Sequence, residues 1–251
     1  MSVPTVVFIT GASRGIGKTL VQTYLARPNH IVVGSVRDTA SPNAEALRSL
    51  PAADGSRLLL VKIESTSYAD PAAAVRELEA AGIGHVDIII ANAGGTGGGI
   101  APLTTVTPGN VADVLALNAL GPLALYQAFL SLLKKSPAPK WVSVSSAVAS
   151  IGNMENFHSH VAPAYGIGKA ALNWITVAAH CGNKELIAFV LHPGLVQTDM
   201  GNRAARGMGL PQAPITLQQS ADAIIKLTDE ATREKTSARF FDAIQGTEIP
   251  W

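Results

Sequence analysis

The chain has 251 residues, of which 47% are apolar and 15% charged, and a formal charge of +1. That composition suits a folded chain with a large core and excludes a disordered one, while scattered Lys and Arg lack the basic patch of a nucleic-acid binder. Cys181 is the one cysteine, so no disulfide or paired-cysteine metal site forms within the chain, which fits a reducing, cytoplasmic setting.

The first apolar run, Val6 to Ile9, follows no basic segment and is too short for a signal h-region, so it reads as a strand. Thr10-Gly11-Ala12-Ser13-Arg14-Gly15-Ile16-Gly17 comes next and opens a helical stretch from Gly15 to Ala26. Glycines there let the backbone turn sharply and approach a pyrophosphate, whose charge is stabilised by the free N–H groups and dipole of a helix start. A tight strand-to-helix turn without a ligand is the alternative use of such a segment. The second run, Ile31 to Val36, leads into Arg37-Asp38. An acid at that strand end accepts the ribose 2′-hydroxyl of NAD, and a cation accommodates the 2′-phosphate of NADP. Arg37 and Arg14 therefore point to NADP(H), with Ser13 and Ser35 as further hydroxyl donors, whereas Asp38 leaves NAD open.

A third run, Leu58 to Ile63, precedes a helical pattern over Pro71 to Ala81. The fourth, Val86 to Ala91, ends in Asn92-Ala93-Gly94 and a glycine-rich stretch to Gly99, better suited to an active-site loop at a strand's carboxyl end than to a linker. The longest apolar region, Val111 to Leu133, is interrupted by Asp113, Asn118, Gly121, Pro122 and Gln127. Those residues argue against a membrane span and for two packed helices. Asn118 within it needs a buried partner or a water.

Trp141 to Ser145 is the fifth strand, and Ser145 and Ser146 close it. A serine hydroxyl at a strand end can satisfy a turn, or it can donate to a carbonyl oxygen whose negative charge grows as hydride arrives. His158 and His160 lack an evident third ligand, so no metal is expected. Pro163 opens a helical stretch over Ala164 to His180, and Tyr165 and Lys169, four residues apart, share one face of it. A free tyrosine titrates near pH ~10, and an ammonium close by favours its phenolate, which gives the pair a use beyond a surface contact. The sixth run, Leu186 to Leu191, continues into His192-Pro193-Gly194, with Val196 and Thr198 beyond it. Periodicity is lost from about Met200 to Pro214, which reads as a mobile lid. Strand and helix alternate throughout, so the expected fold is α/β: a single domain over residues 1–251, a Rossmann-type doubly wound parallel sheet flanked by helices.

Gly11, Gly15 and Gly17 in a Gly-x-x-x-Gly-x-Gly turn, then Asn92-Ala93-Gly94, Asn118, the double serine, Tyr165-x-x-x-Lys169, and Pro193-Gly194 with Thr198 follow one another over nearly the whole chain. In that order they resemble the short-chain dehydrogenase/reductase family. The resemblance implies that Tyr165 is the general acid of a carbonyl reduction. Lys169 would lower its pKa and bind the nicotinamide ribose, Ser146 would polarise the substrate carbonyl, and Asn118 would hold a water in a relay to Lys169. Gly11, Ser13, Arg14, Gly15, Ile16, Gly17, Arg37, Ile63, Asn92, Ala93, Gly94, Pro193, Val196 and Thr198 would bind the cofactor, together with Tyr165 and Lys169. Two departures stand out: Lys62 replaces the family's usual acid near the adenine, and the stretch from Ala147 to Ala164 is several residues longer than usual. Its added part, Asn153 to His160, is expected to bulge beside the active site.

Ala164 to Asn173, Val196 to Gly201 and Gly246 to Trp251 further resemble the fungal norsolorinic acid ketoreductase-like branch. That implies a bulky apolar, aromatic or polyketide-like ketone as substrate. The substrate site is expected near Gly95 to Ile100, Asn153 to Val161 and Met200 to Pro211. A homodimer or homotetramer through the two long apolar helical regions is expected, with no nucleic-acid or membrane partner. A non-catalytic NADP(H)-binding regulator and a non-redox isomerase, dehydratase or cyclase are the competing readings.

Overall fold

The computed structural model describes residues 3–251. All six expected strands form, displaced by one or two residues at their ends: β1 (Thr5–Ile9), β2 (His30–Val36), β3 (Arg57–Lys62), β4 (Ile88–Ala91), β5 (Lys140–Val144) and β6 (Ile187–His192). Two short strands extend the sheet, β7 (Phe240–Asp242) and β8 (Thr247–Glu248). Strand order is β3-β2-β1-β4-β5-β6-β7-β8, parallel throughout except for the antiparallel β7–β8 edge. The strands are near-continuous aliphatic runs because helices cover both faces of the sheet, leaving neither side to water.

On one face α1 (Gly15–Leu25), α2 (Pro42–Arg48) and α8 (Leu217–Glu230) bury Leu20, Tyr24, Leu47 and Ile224 against Val7, Ile9, Val142 and Leu191. On the other, α3 (Asp70–Ala80), α5 (Gly121–Leu133) and α6 (Pro163–Gly182) pack Leu78, Phe129, Leu132 and Ala179 against Phe8, Ile89 and Trp141. The sheet winds in opposite directions from β1 and from β4. This reversal opens a crevice at their carboxyl ends, the place where ligands bind in sheets of this kind.

Two expectations are corrected. The apolar region that reads as two helices is one continuous helical run, α4 (Pro108–Leu115) passing through a π-helical turn (Ala116–Leu120) into α5. Pro122 has no N–H to give to the carbonyl four residues back, so a regular α-turn fails at Asn118 and the chain widens instead of breaking. The run is long and apolar enough to cross a membrane by length and composition, but Leu125, Phe129, Leu132 and Leu133 lie in the core under the sheet. The aperiodic segment after Thr198 begins with a helix, α7 (Asp199–Gly207). It is short and polar, with Ala205 its one buried residue.

Candidate active site

The crevice begins at the glycine turn. Gly11 and Gly15 both have positive φ, +70° and +57°, and Gly17 is where the chain crosses itself: a Cβ there would lie 2.3 Å from the Gly11 carbonyl oxygen. Arg14 precedes α1 without a capping side chain, and the first turn of α1 holds no acid. Its leading N–H groups and dipole therefore face the crevice uncompensated, which suits a pyrophosphate. The residues present fit a dinucleotide at this point.

Several polar residues hold the turn rather than reach into it. Thr10 Oγ1 accepts from the backbone N–H of Asn92 and of Ala93, both at 2.9 Å, and Asn92 Nδ2 donates to the Thr10 carbonyl at 2.8 Å. The ends of β1 and β4 are thereby locked together. Ser35 is buried, its carbonyl accepting from Ala12 N at 2.9 Å and its hydroxyl from Gly11 N at 3.4 Å. It is a support of the turn, whereas the sequence suggested a phosphate donor. Arg37 is exposed at the end of β2, and Arg14 pairs with Asp199 at 2.7 Å on the open rim. Ile63 is buried and lines a small pocket with Thr10, Ala91, Ala93, Pro122 and Leu125. Lys62 is exposed beside it, near Asp70, whose carboxyl is held below its usual range by the Glu64 N–H, the Ser67 hydroxyl and the Lys62 charge.

The reacting end is built where β5 meets α6. Pro163 starts α6, and one helical turn separates Tyr165 from Lys169. The two serines divide their tasks. Ser145 Oγ is buried and donates to Asn173 Oδ1 at 2.7 Å, which ties β5 to α6. Ser146 lies outside that core and starts a short 3₁₀ turn (Ala147–Ala149), its oxygen accepting from Val148 N at 3.3 Å. Its side chain lies close enough to the Tyr165 phenol to lower its titration, which partly offsets the burial that pushes the phenol up to about 12.

Lys169 reaches beneath. Nζ donates to the Val144 carbonyl at 2.8 Å and lies 5.9 Å from the centre of the Tyr165 ring, and burial brings its ammonium down to about 8. It also stands under the β4 loop, since a Cβ at Gly94 would come within 3.0 Å of Nζ and 2.7 Å of Asn118 Oδ1. Asn118 is fully buried. Its amide donates to the carbonyls of Gly95 and Val114 at 2.8 and 2.9 Å, and its oxygen accepts from Gly95 N at 3.1 Å. The side chain is thus spent on fastening the β4 loop to the helix.

Beyond β6, Pro193 is buried and its carbonyl accepts from Ser220 Oγ at 2.8 Å. Val196 is buried and bridged to Ile215. Thr198 caps α7 by accepting from Gly201 N at 2.9 Å, and its methyl group would lie 3.4 Å from a Cβ at Gly15. The far wall of the crevice therefore faces the glycine turn. Ser146, Tyr165, Lys169 and Asn118 come together around the β4–β5 strand ends, whereas Arg37 and Ile63 belong to the other end of the crevice. Thr10 and Asn173 escaped the sequence reading. Thr10 ends a strand just before the glycines, and Asn173 follows Lys169 by one helical turn on the same face, which are the signals that mark them. Among the described residues, no group of three or more His, Cys, Asp or Glu is placed to hold a metal.

This arrangement has counterparts among known proteins. Residues 5–209 match the short chain dehydrogenase family. Short-chain dehydrogenase RED3 of Pyricularia oryzae is 45% identical over 251 residues, covering 100% of both chains. The norsolorinic acid ketoreductase nor1 of Dothistroma septosporum is 42% identical, over 98% of this chain and 92% of its own. Among solved structures, the NADPH-bound carbonyl reductase from chicken fatty liver superposes with a TM-score of 0.85 at 27% identity, covering 100% of this chain and 96% of that one. The chain belongs to the short-chain dehydrogenase family of oxidoreductases.

Proposed function

We propose that this chain is an NADP(H)-dependent reductase that converts a ketone or aldehyde to an alcohol, with a bulky apolar, aromatic or polyketide-like carbonyl compound as its substrate. One observation carries the reading: Tyr165 sits beside Ser146, with the ammonium of the buried Lys169 5.9 Å from the centre of its ring, at the strand ends next to the glycine turn. A binding module has no use for that set. The bound cofactor supplies a hydride to the carbonyl carbon. The chain supplies the proton and holds the charge. Tyr165 stays protonated over the whole neutral range and donates its hydroxyl proton to the carbonyl oxygen as negative charge develops there. The Ser146 hydroxyl donates to the same oxygen. Lys169, close to neutrality in its own titration, holds the ribose side of the cofactor and replenishes the tyrosine proton through the buried floor of the crevice.

Nucleotide choice falls to Arg37 and Arg14. The Arg14–Asp199 pair is exposed on both sides, so it contributes little and leaves the guanidinium free to turn to a 2′-phosphate. The names of the relatives, a norsolorinic acid ketoreductase and an NADPH-bound carbonyl reductase, support the same substrate and cofactor classes. We further propose a cytoplasmic homodimer or homotetramer that uses the outer faces of α5 and α6, where Trp174 is 73% and Ile167 44% exposed. The test is NADPH consumption with a panel of aromatic and aliphatic ketones, with the product analysed. One alcohol formed per NADPH, and slower turnover with NADH, is the expected result. Cofactor binding without consumption, or a product at the same oxidation level as the substrate, contradicts it.

A further inference from the structure

Between Ser150 and Val161 the chain leaves Ser146 and returns to Tyr165 with little of its own to hold it. Of residues 151–161 Ser159 is the one buried, while Ile151, Met154, Phe157 and Val161 are exposed. Its internal hydrogen bonds are local, Met154 N to Ile151 O, Phe157 N to Asn153 O and Ser159 N to Met154 O. Such turns fix a local shape but do not anchor a loop to the body of a protein.

The anchor is the far end of the chain. Ser150 is fully buried; its hydroxyl donates to the Pro250 carbonyl at 2.5 Å and accepts from Asn153 N at 3.2 Å. Gly152 N donates to the Trp251 carbonyl at 2.7 Å. Among the described residues these two are the long-range hydrogen bonds that reach the loop. The tail is itself pinned: the Trp251 ring stacks on Phe240 at 5.8 Å and 23°, Ile249 N donates to the Phe240 carbonyl at 2.7 Å, and Ile249 packs with Val190 and Phe240. The contact is close, since a Cβ at Gly152 would stand 3.1 Å from the Trp251 carbonyl oxygen.

We propose that residues 249–251 clamp this loop and that Ser150 and Trp251 are positioning residues for the substrate of the reductase reading, on which this inference rests. Neither touches the reacting atoms. Their part is to hold the apolar side chains of the loop in order beside Ser146 and Tyr165 before substrate arrives, which removes an ordering cost from binding. A large apolar ketone reaches those side chains and a short aliphatic one does not. The clamp therefore acts on KM for the large substrate and on little else.

Ser150→Ala and Trp251→Ala separate these roles, measured by steady-state kinetics on a bulky aromatic and a short aliphatic ketone, with NADPH affinity from fluorescence titration. Each is expected to raise KM for the aromatic ketone about tenfold, while kcat, NADPH affinity and KM for the aliphatic ketone stay within about twofold. Trp251→Phe keeps the stacking and restores most of the loss. The double variant is expected to be no worse than the weaker single variant, because both substitutions open one clamp. Equal KM changes for the two ketones, a loss confined to kcat, or effects that multiply overturn the proposal. If the unaltered protein consumes NADPH with no ketone, the reductase reading has failed. Hydrogen exchange of the amides of residues 151–161 then decides the clamp: faster exchange in both alanine variants upholds it, and unchanged exchange overturns it.

Discussion

Lys169 is 3% exposed and its ammonium has one hydrogen-bond partner, the Val144 carbonyl. Burial holds its titration at about 8, against 10.5 for a free lysine. The folded chain therefore binds that proton less well than the unfolded chain does, and carries a stability cost that is complete below about pH 8. The cost fades as pH rises towards 10.5, where the unfolded chain loses the proton too. Lys169→Met in the cofactor-free protein is predicted to gain on the order of 1 kcal/mol at pH 7, net of the stranded Val144 carbonyl. That gain shrinks towards pH 10, and reductase activity is lost. Urea unfolding at several pH values measures it, and a variant less stable than the parent at pH 7 contradicts it. The Tyr165–Lys169 spacing was legible in the sequence because helix geometry alone puts the two on one face. The roles of Thr10, Asn92 and Ser35 were not, because each is defined by a strand end that lies at a different place in the chain.

At the scale of elements, the glycine turn is the most constrained. Gly17→Ala would put a methyl group 2.3 Å from the Gly11 carbonyl oxygen and 2.7 Å from Asn92 Nδ2, so the turn itself must move. The predicted outcome is a stability loss of about 1–3 kcal/mol and NADPH affinity reduced by at least about tenfold, read by thermal unfolding and fluorescence titration. Unchanged affinity would mean that the cofactor does not approach the backbone here. The six central strands could be read from their aliphatic runs because both faces are covered. What sequence patterning missed are α2, α7, α8, β7 and β8. Helix α7 is short and polar and buries Ala205 alone, and α8 is marked by a capping box, Thr216 with Gln219, ahead of the face that buries Ala221, Ile224 and Ile225. The π-turn at Asn118 hides because a proline inside an apolar run usually signals a break, and here the neighbouring packing carries the helix through it.

Across the whole molecule, the order of strands places the glycine turn of β1 and the Asn92-Ala93-Gly94 loop of β4 side by side, with the end of β5 next in line. Residues more than 150 positions apart, such as Arg14 and Asp199, thereby meet across one crevice. Alternation of strand and helix was enough to foresee a doubly wound parallel sheet, because a parallel connection has one favoured hand, but not the order of its strands or its antiparallel edge. The shape of the substrate side was not foreseeable, since it depends on a loop and a tail that contact each other over 100 residues of chain. The central claim is that Tyr165 delivers the proton of a carbonyl reduction, and replacing it tests that most directly. Turnover of NADPH with an accepted ketone by Tyr165→Phe, measured beside NADPH affinity, is predicted to fall by about 10²–10⁴ in kcat with affinity for the cofactor retained. A variant that turns over at the parent rate would contradict the account.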